Sequence, residues 1–263
     1  MAARETRRYR NGEGARWPAL LVAVCVLGAW ELASRVGWIR PLFFPPPSRA
    51  VASLYRMAVT GALWPSLGAT LSRLLLGVLL GAGAGAAIGW IMGALRPVRL
   101  ALDPLVAVLH PLPKLALFPL FLVVLGIGES SKIALVALAA FFPMLLSVMA
   151  GVMQIGRLYL EVASSCGASG LLTLRRVILP GSLPMLITGL RLALNTGLVV
   201  AIAVEMLSAQ RGLGAAVWFA WQTMRTHELY AILLVVGALG LGVNWLLGVL
   251  AARLVPWQMN GAP

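Results

Sequence analysis

The stretch Glu161–Pro184, EVASSCGASGLLTLRRVILPGSLP, decides how this chain is read. It is the only long segment after the first apolar run that is neither membrane-grade nor a simple turn. Its pattern predicts two short helical pieces broken at Gly167. Ser169 is placed to cap the second piece, because a serine side chain accepts a bond from an orphan N–H at a helix start. Pro180 is expected to end it, since proline lacks an N–H and disfavours helix in the residue before it. Small residues fill the break: Ala163, Ser164, Ser165, Gly167, Ala168 and Ser169. A knob this compact, set between two apolar runs, suits a partner's pocket.

The surrounding composition gives the class. Of 263 residues, 60% are hydrophobic and only 11% charged, against about 25% charged in a soluble domain. The mean hydropathy is +0.93. The chain reads as an all-α, multi-pass membrane protein. Its net charge of +13 comes from 21 Lys and Arg against 8 Asp and Glu. These cations fall mostly between apolar runs, where they orient spans and meet anionic lipid. They form no basic-aromatic cluster of the nucleic-acid type, so no nucleic-acid partner is expected. Cys25 and Cys166 fall in different environments, and a disulfide between them is not expected. His110 and His227 lack ligand spacing, so no metal site is expected.

Six spans fit: Trp17–Val36, Leu67–Gly93, Leu100–Leu125, Ile133–Met153, Met185–Ser208 and Leu229–Ala252. Each is close to or above the ~20 residues that cross a bilayer as helix, and such a run satisfies its backbone internally in lipid only as helix. The first run follows a basic stretch, as a signal peptide does. It also holds Trp30 and Glu31 and lacks a prompt small-residue cleavage site, so it reads as an uncleaved span. With the N-terminus inside, Arg4, Arg7, Arg8, Arg10, Arg16, Arg96, Arg99, Arg157, Arg175, Arg176 and Arg253 lie on the inner side. Arg35, Arg40, Arg49, Arg56, Lys132, Arg211 and Arg225 lie outside. That bias puts both termini and Glu161–Pro184 in the cytoplasm. Four segments result: a basic N-tail at 1–16, the first span and outer loop at 17–66, a core at 67–257 with the loop at about 157–184, and a tail at 258–263. In the outer loop Pro45-Pro46-Pro47 is stiff, and Ser48 is expected to cap an amphipathic helix from Arg49 to Val59.

Three features inside the spans carry chemistry. Gly77, Gly81, Gly85, Gly89 and Gly93 form a bare stripe that lets another helix approach closely. It serves packing within the subunit or a contact with a second copy. In HPLPKLALFPL, Pro111, Pro113 and Pro119 break the third span, as transporters tolerate where irregular backbone lines a cavity. His110, Pro111, Pro113 and Lys114 are therefore candidates for a translocation path. Lys114 alternatively snorkels or pairs with an acid such as Asp103. Glu205, in AIAVEML, is costly in lipid unless partnered. It either bonds a neighbouring helix or lines an outer gate. Arg191, fourteen residues earlier, is about 21 Å away along the helix and out of its reach.

Glu161, Ala163, Gly167, Ala168, Leu179, Pro180 and Pro184 resemble the EAA loop of ABC-importer membrane subunits, with Val162 as a departure. The resemblance extends in order through Thr70-Leu71-Ser72-Arg73, Leu102-Asp103-Pro104-Leu105, Gly126-Ile127-Gly128-Glu129-Ser130-Ser131-Lys132, Phe141-Phe142-Pro143, Thr188-Gly189-Leu190-Arg191, Ala203-Val204-Glu205-Met206 and Gly212-Leu213-Gly214. It is similar to the nitrate, sulfonate and taurine branch. Asn244 departs from the aspartate many relatives carry there, and an acidic residue common before the final basic pair is absent around Arg253.

The resemblance implies six transmembrane helices with the coupling loop between spans 4 and 5. Glu161, Ala163, Gly167, Ala168, Arg175, Arg176 and Pro180 would engage an ATPase. The implied assembly is a permease homodimer with two cytoplasmic ATPase subunits and a periplasmic or lipid-anchored solute-binding protein, in the bacterial plasma membrane. The implied cargo is a small anion such as a sulfonate, taurine, nitrate or bicarbonate, or alternatively a vitamin or pyrimidine precursor. No G-x-x-x-x-G-K-S/T phosphate loop occurs in the chain, so no enzymatic role and no cofactor of its own is expected. ATP and Mg would belong to the partner ATPase. A stand-alone secondary transporter would need inverted repeats or an intramembrane acidic relay, and an intramembrane enzyme would need paired acids or a Ser/His site. The sequence offers none of these.

Overall fold

Runs of Leu, Val, Ala and Gly with no exposed-backbone option fold here into helices, and the order of their breaks sets the topology. The computed structural model describes residues 16–208 and 210–256. The basic cluster Arg4, Arg7, Arg8 and Arg10 and the tail 258–263 lie outside the described residues. The elements are α1 (Arg16–Val36), α2 (Pro47–Val59), α3 (Leu63–Ala94), α4 (Arg96–Leu109), α5 (Phe118–Leu125), α6 (Glu129–Met153), α7 (Arg157–Ser165), α8 (Gly170–Thr173), α9 (Leu179–Ser208), α10 (Leu213–Gln222) and α11 (Thr226–Leu254). A 3-10 turn, Lys114–Leu117, precedes α5, and a π-turn, Leu174–Ile178, joins α8 to α9.

Among the described residues four helical runs are long and apolar enough to cross a membrane: α3, α6, the continuous run Gly170–Ser208, and α11. The pair formed by α4 and Lys114–Leu125 makes a fifth if counted together, although it bends by 87°. Several helices outrun the limits the hydropathy suggests. α6, for example, begins at Glu129 rather than Ile133 because its polar first turn is held by side-chain bonds.

The centre is a three-helix packing of α3, α6 and α9. Leu74, Val78, Val136, Ala140, Ala193 and Leu198 form its apolar core. The glycine stripe of α3 lies directly on α6. A Cβ at Gly81 would run into the Ala137 carbonyl, and one at Gly89 would stand 2.6 Å from the Leu145 carbonyl oxygen. The stripe is thus used for packing within this chain. α5 closes one flank through Phe118 against Leu135 and Val204. α2, α10 and α11 close another around Leu63, Leu213, Val217 and Ile232. Of these four runs α11 is the least enclosed: 17% of its most apolar stretch is buried, against 50% for α6, so most of its surface is left for lipid or another chain.

Two local expectations are corrected. Ser48 does not cap α2. The helix starts one residue earlier, because Pro47 is pre-set for a first-turn position. The Ser48 N–H and hydroxyl instead donate to the two oxygens of Glu31, at 3.0 and 2.7 Å. A carboxylate from α1 thereby serves the N-terminus of α2, where negative charge is favoured. Pro180 does not end the second helical piece. α8 runs on through the π-turn into α9, with the Leu179 N–H donating to the Leu174 carbonyl five residues back. This wider spacing opens the turn where the proline ring would crowd a carbonyl.

Candidate functional site

The segment between α6 and α9 is exposed and small-featured. α7 ends in a paired-bond cap: Gly167 N–H donates to the Ser164 carbonyl and Ala168 N–H to the Ala163 carbonyl, both at 3.0 Å. That pattern needs a left-handed residue at its turn, and Gly167 supplies it at φ 71°. Ser169 then accepts from the Leu172 N–H at 3.4 Å, as a cap should. Glu161, Gly167, Arg175, Arg176 and Pro180 are exposed; Ala163 and Ala168 are half-buried. Around them Leu158, Tyr159, Val162 and Leu171 are all more than half exposed. Between the end of α6, α7 and the start of α9 lies a recess of about 690 Å³ bordered by Gln154, Tyr159, Arg176, Pro180 and Met185.

The break between α4 and α5 holds His110, Pro111, Pro113 and Lys114. The Lys114 ammonium donates to the His110 carbonyl and lies 5.2 Å from the centre of the Phe142 ring. The His110 ring packs 5.6 Å from the same ring. Lys114 is half-buried, and Asp103 is not its partner. Pro119 falls in the first turn of α5, where a missing N–H costs nothing, so the bend is made by 110–113.

Glu205 stands elsewhere, at the end of the bundle formed by α10 and the start of α3. Its side chain is fully buried, and Arg73 beside it is 5% exposed. Arg73 Nη1 donates to Glu205 Oε1 at 2.6 Å and to the Arg211 carbonyl at 2.7 Å. Glu205 Oε2 accepts from the Thr70 hydroxyl and from the Gly214 N–H, both at 2.9 Å. Thr70 accepts in turn from the Leu213 N–H at 2.9 Å. Glu205 thus serves the N-terminus of α10 as well as a cation. Gly212 and Gly214 permit this, because a Cβ at Gly212 would enter the Glu205 carboxylate and one at Gly214 the Ile202 carbonyl.

The other edge of Arg73 is bidentate to Glu129, with Nε at 2.6 Å and Nη2 at 2.9 Å. Lys132 Nζ donates to Glu129 Oε1 at 3.2 Å. Four charges therefore alternate across α3, α6 and α9. A buried arginine–carboxylate pair holds only when its remaining donors and acceptors are also matched, as they are here.

Of the residues singled out from sequence, 161–180 lie together at the α7 end and 110–114 at the bend, and Glu205 joins neither group. Sequence reasoning met Thr70, Arg73, Glu129 and Lys132 only inside the motifs of the resemblance and, for Lys132, as an outer cation, and gave none of them a place in a site. A signal existed: Arg73 is a lone cation deep in an apolar run and Glu205 a lone anion in another, and each needs a partner.

A family model described as "binding-protein-dependent transport system inner membrane component" matches residues 77–258. The chain is 35% identical to the taurine transport system permease protein of Escherichia coli over 92% of this chain and 93% of that one. It is 29% identical to a putative aliphatic sulfonates transport permease protein of Bacillus subtilis, over 96% and 90%. It is 30% identical to the nitrate import permease protein of Leptolyngbya laminosa, over 91% and 88%. Among solved structures, a chain of the methionine ABC transporter in inward-facing conformations aligns with a TM-score of 0.65 at 17% identity. That alignment covers 71% of this chain and 93% of that one, a likeness of fold.

Proposed function

We propose, on the premise that this chain belongs to the family of binding-protein-dependent transport system inner membrane components, that it forms the translocation path of an ATP-driven importer for a small oxoanion of the sulfonate, taurine or nitrate kind. The substrate class rests on the names of its relatives. In this reading α1 is a sixth span added to the four long apolar helices and the bent pair. The core is 67–257, and both termini face the cytoplasm of a bacterial inner membrane. The segment at about 157–184 faces a separate ATPase subunit, two copies of which serve a permease homodimer. A solute-binding protein delivers cargo at the α10 end.

The observation that carries this reading is the α7–α8 segment. It sets Leu158, Tyr159, Val162 and Leu171 in the open beside Arg175 and Arg176. Apolar side chains grouped outside the long apolar runs mark a protein contact. ATP binding by the partner would draw two such segments together. The rigid α3–α6–α9 packing would carry that motion into the bundle, and cargo would pass by alternating access. His110, Pro111, Pro113 and Lys114 supply the irregular backbone and the cation that a passing anion meets. Glu205 holds the helices that move.

Gly167→Asp tests the reading. Aspartate tolerates the left-handed conformation better than most residues and nothing lies within 4 Å of a Cβ there, so the subunit folds. A charge on the docking knob is expected to lower uptake and substrate-stimulated ATP hydrolysis at least about tenfold. Normal transport by that variant, with its ATPase bound, would remove the segment from the mechanism.

A further inference from the structure

The ion-pair cluster at the α10 end has a second side. Beside it lies an open recess of about 600 Å³ lined by Ser72, Arg73, Glu129, Lys132, Ser208 and Arg211, within the ~300–1,000 Å³ range of small-molecule sites. The two carboxylates of the cluster differ sharply. Glu205 is enclosed and fixed by Arg73, Thr70 and the Gly214 N–H. The Glu129 side chain is 58% exposed. It stands on the first turn of α6, directly after Gly126-Ile127-Gly128, where the backbone turns through φ 79° at Gly126.

Glu129 is therefore a carboxylate sitting in a cationic seat on the wall of the recess. The Nε and Nη2 edge of Arg73 grips it, Lys132 adds a third donor, and Arg211 is part of the same lining. With Glu129 in place, the cluster and its rim hold three cations, Arg73, Lys132 and Arg211, against two carboxylates, Glu129 and the enclosed Glu205. With Glu129 swung out, two positive charges are unmatched. The fork edge of an arginine beside a lysine is the donor set that planar and tetrahedral oxoanions take in place of a carboxylate.

From this geometry we infer that the recess is an exchange seat for an incoming sulfonate or similar oxoanion, which displaces the Glu129 carboxylate from Arg73 and Lys132. The released Glu129 then stands at the rim, where it pairs with an ammonium group of the same ligand. An amino-sulfonate gains both contacts and a plain alkanesulfonate only one. The seat rests on the reading of the α10 end as the mouth where anionic cargo arrives.

The test uses the permease–ATPase complex in nanodiscs, with trifluoromethanesulfonate as a plain sulfonate probe followed by fluorine NMR and taurine as the competing amino-sulfonate. Saturable probe binding is expected in the unaltered protein, weakened about tenfold by Lys132→Gln. Glu129→Gln removes the resident anion. It is expected to tighten probe binding several-fold and to abolish the advantage of taurine over the probe. Arg211→Gln, at an exposed position, provides a weaker loss of about threefold should Lys132→Gln fail to fold.

Equal probe affinity in the unaltered protein, Glu129→Gln and Arg211→Gln, with all three complexes intact, would overturn the seat and leave only a structural tie. Uptake with the binding protein is measured separately. A complex that transports a sulfonate yet shows no exchange breaks this inference alone. One that transports a neutral solute while the probe series holds keeps the seat and breaks the proposed substrate class.

Discussion

At the α10 end, Arg73 and Glu205 are almost wholly buried and pass their bonds to Thr70, Glu129 and the backbone of Arg211 and Gly214. At the α7 end, Arg175 and Arg176 stand exposed among Tyr159, Val162 and Leu171. In the first region the enclosed Glu205 ties α3, α9 and α10 into one arrangement through Arg73, Thr70 and the Gly214 N–H. The second leaves its charged and apolar groups exposed. Substitutions should therefore separate stability from coupling: large effects on folding at one end, and effects on partnership without loss of folding at the other.

The largest effect is expected from Glu205→Leu. It strands the Arg73 charge in a buried site, which costs about 3–5 kcal/mol when one partner of such a pair is removed. Thermal unfolding of the detergent-solubilised protein should fall sharply, whereas Glu205→Gln keeps an acceptor for Thr70 and Gly214 and falls less. A Leu variant with an unchanged transition would dissolve the contrast between the ends. Gly81→Val comes next, since its Cβ meets the Ala137 carbonyl. Overpacking of this kind costs about 1–3 kcal/mol, and more where backbone must move. The same melting measurement would expose a tolerant interface.

A smaller effect belongs to Trp90→Phe, which deletes the 2.9 Å bond from the indole N–H to the Ser182 hydroxyl between α3 and α9. About 0.5–1.5 kcal/mol is expected, a modest shift in the melting midpoint with transport retained. The smallest effect on stability, within about 0.5 kcal/mol, is predicted for Tyr159→Ala. Co-purification of the ATPase with that variant should nonetheless drop severalfold. Retained ATPase binding together with a lower melting point would place the α7 end in the structural class instead.

Features decided within one or two helical turns were legible in the residues. The apolar runs announced helices, the four-residue glycine spacing announced a close helix contact, and Pro111 and Pro113 announced a break. Gly167 and Ser169 announced the end of one helix and the start of the next. Capping at Ser48 and the end expected at Pro180 were misread because each depended on a neighbour. Glu31 came from another helix, and a π-turn five residues long relieved the proline.

The sequence by itself determined an all-helical membrane protein, because hydropathy acts along the chain, and its ordered motifs carried the resemblance to binding-protein-dependent permeases. Only the tertiary structure decided which charges meet. Arg73 and Glu205 are 132 residues apart, and their pairing depends on how α3 and α9 are rotated against α6. That rotation is fixed by the glycine stripe and by the packing of Leu74, Val78, Val136 and Ala193. It also decided that Glu129 would stand half in solvent while Glu205 was enclosed. The difference comes from the environment around two chemically similar side chains, since a carboxylate at a helix start beside a recess stays hydrated and one between three helices does not.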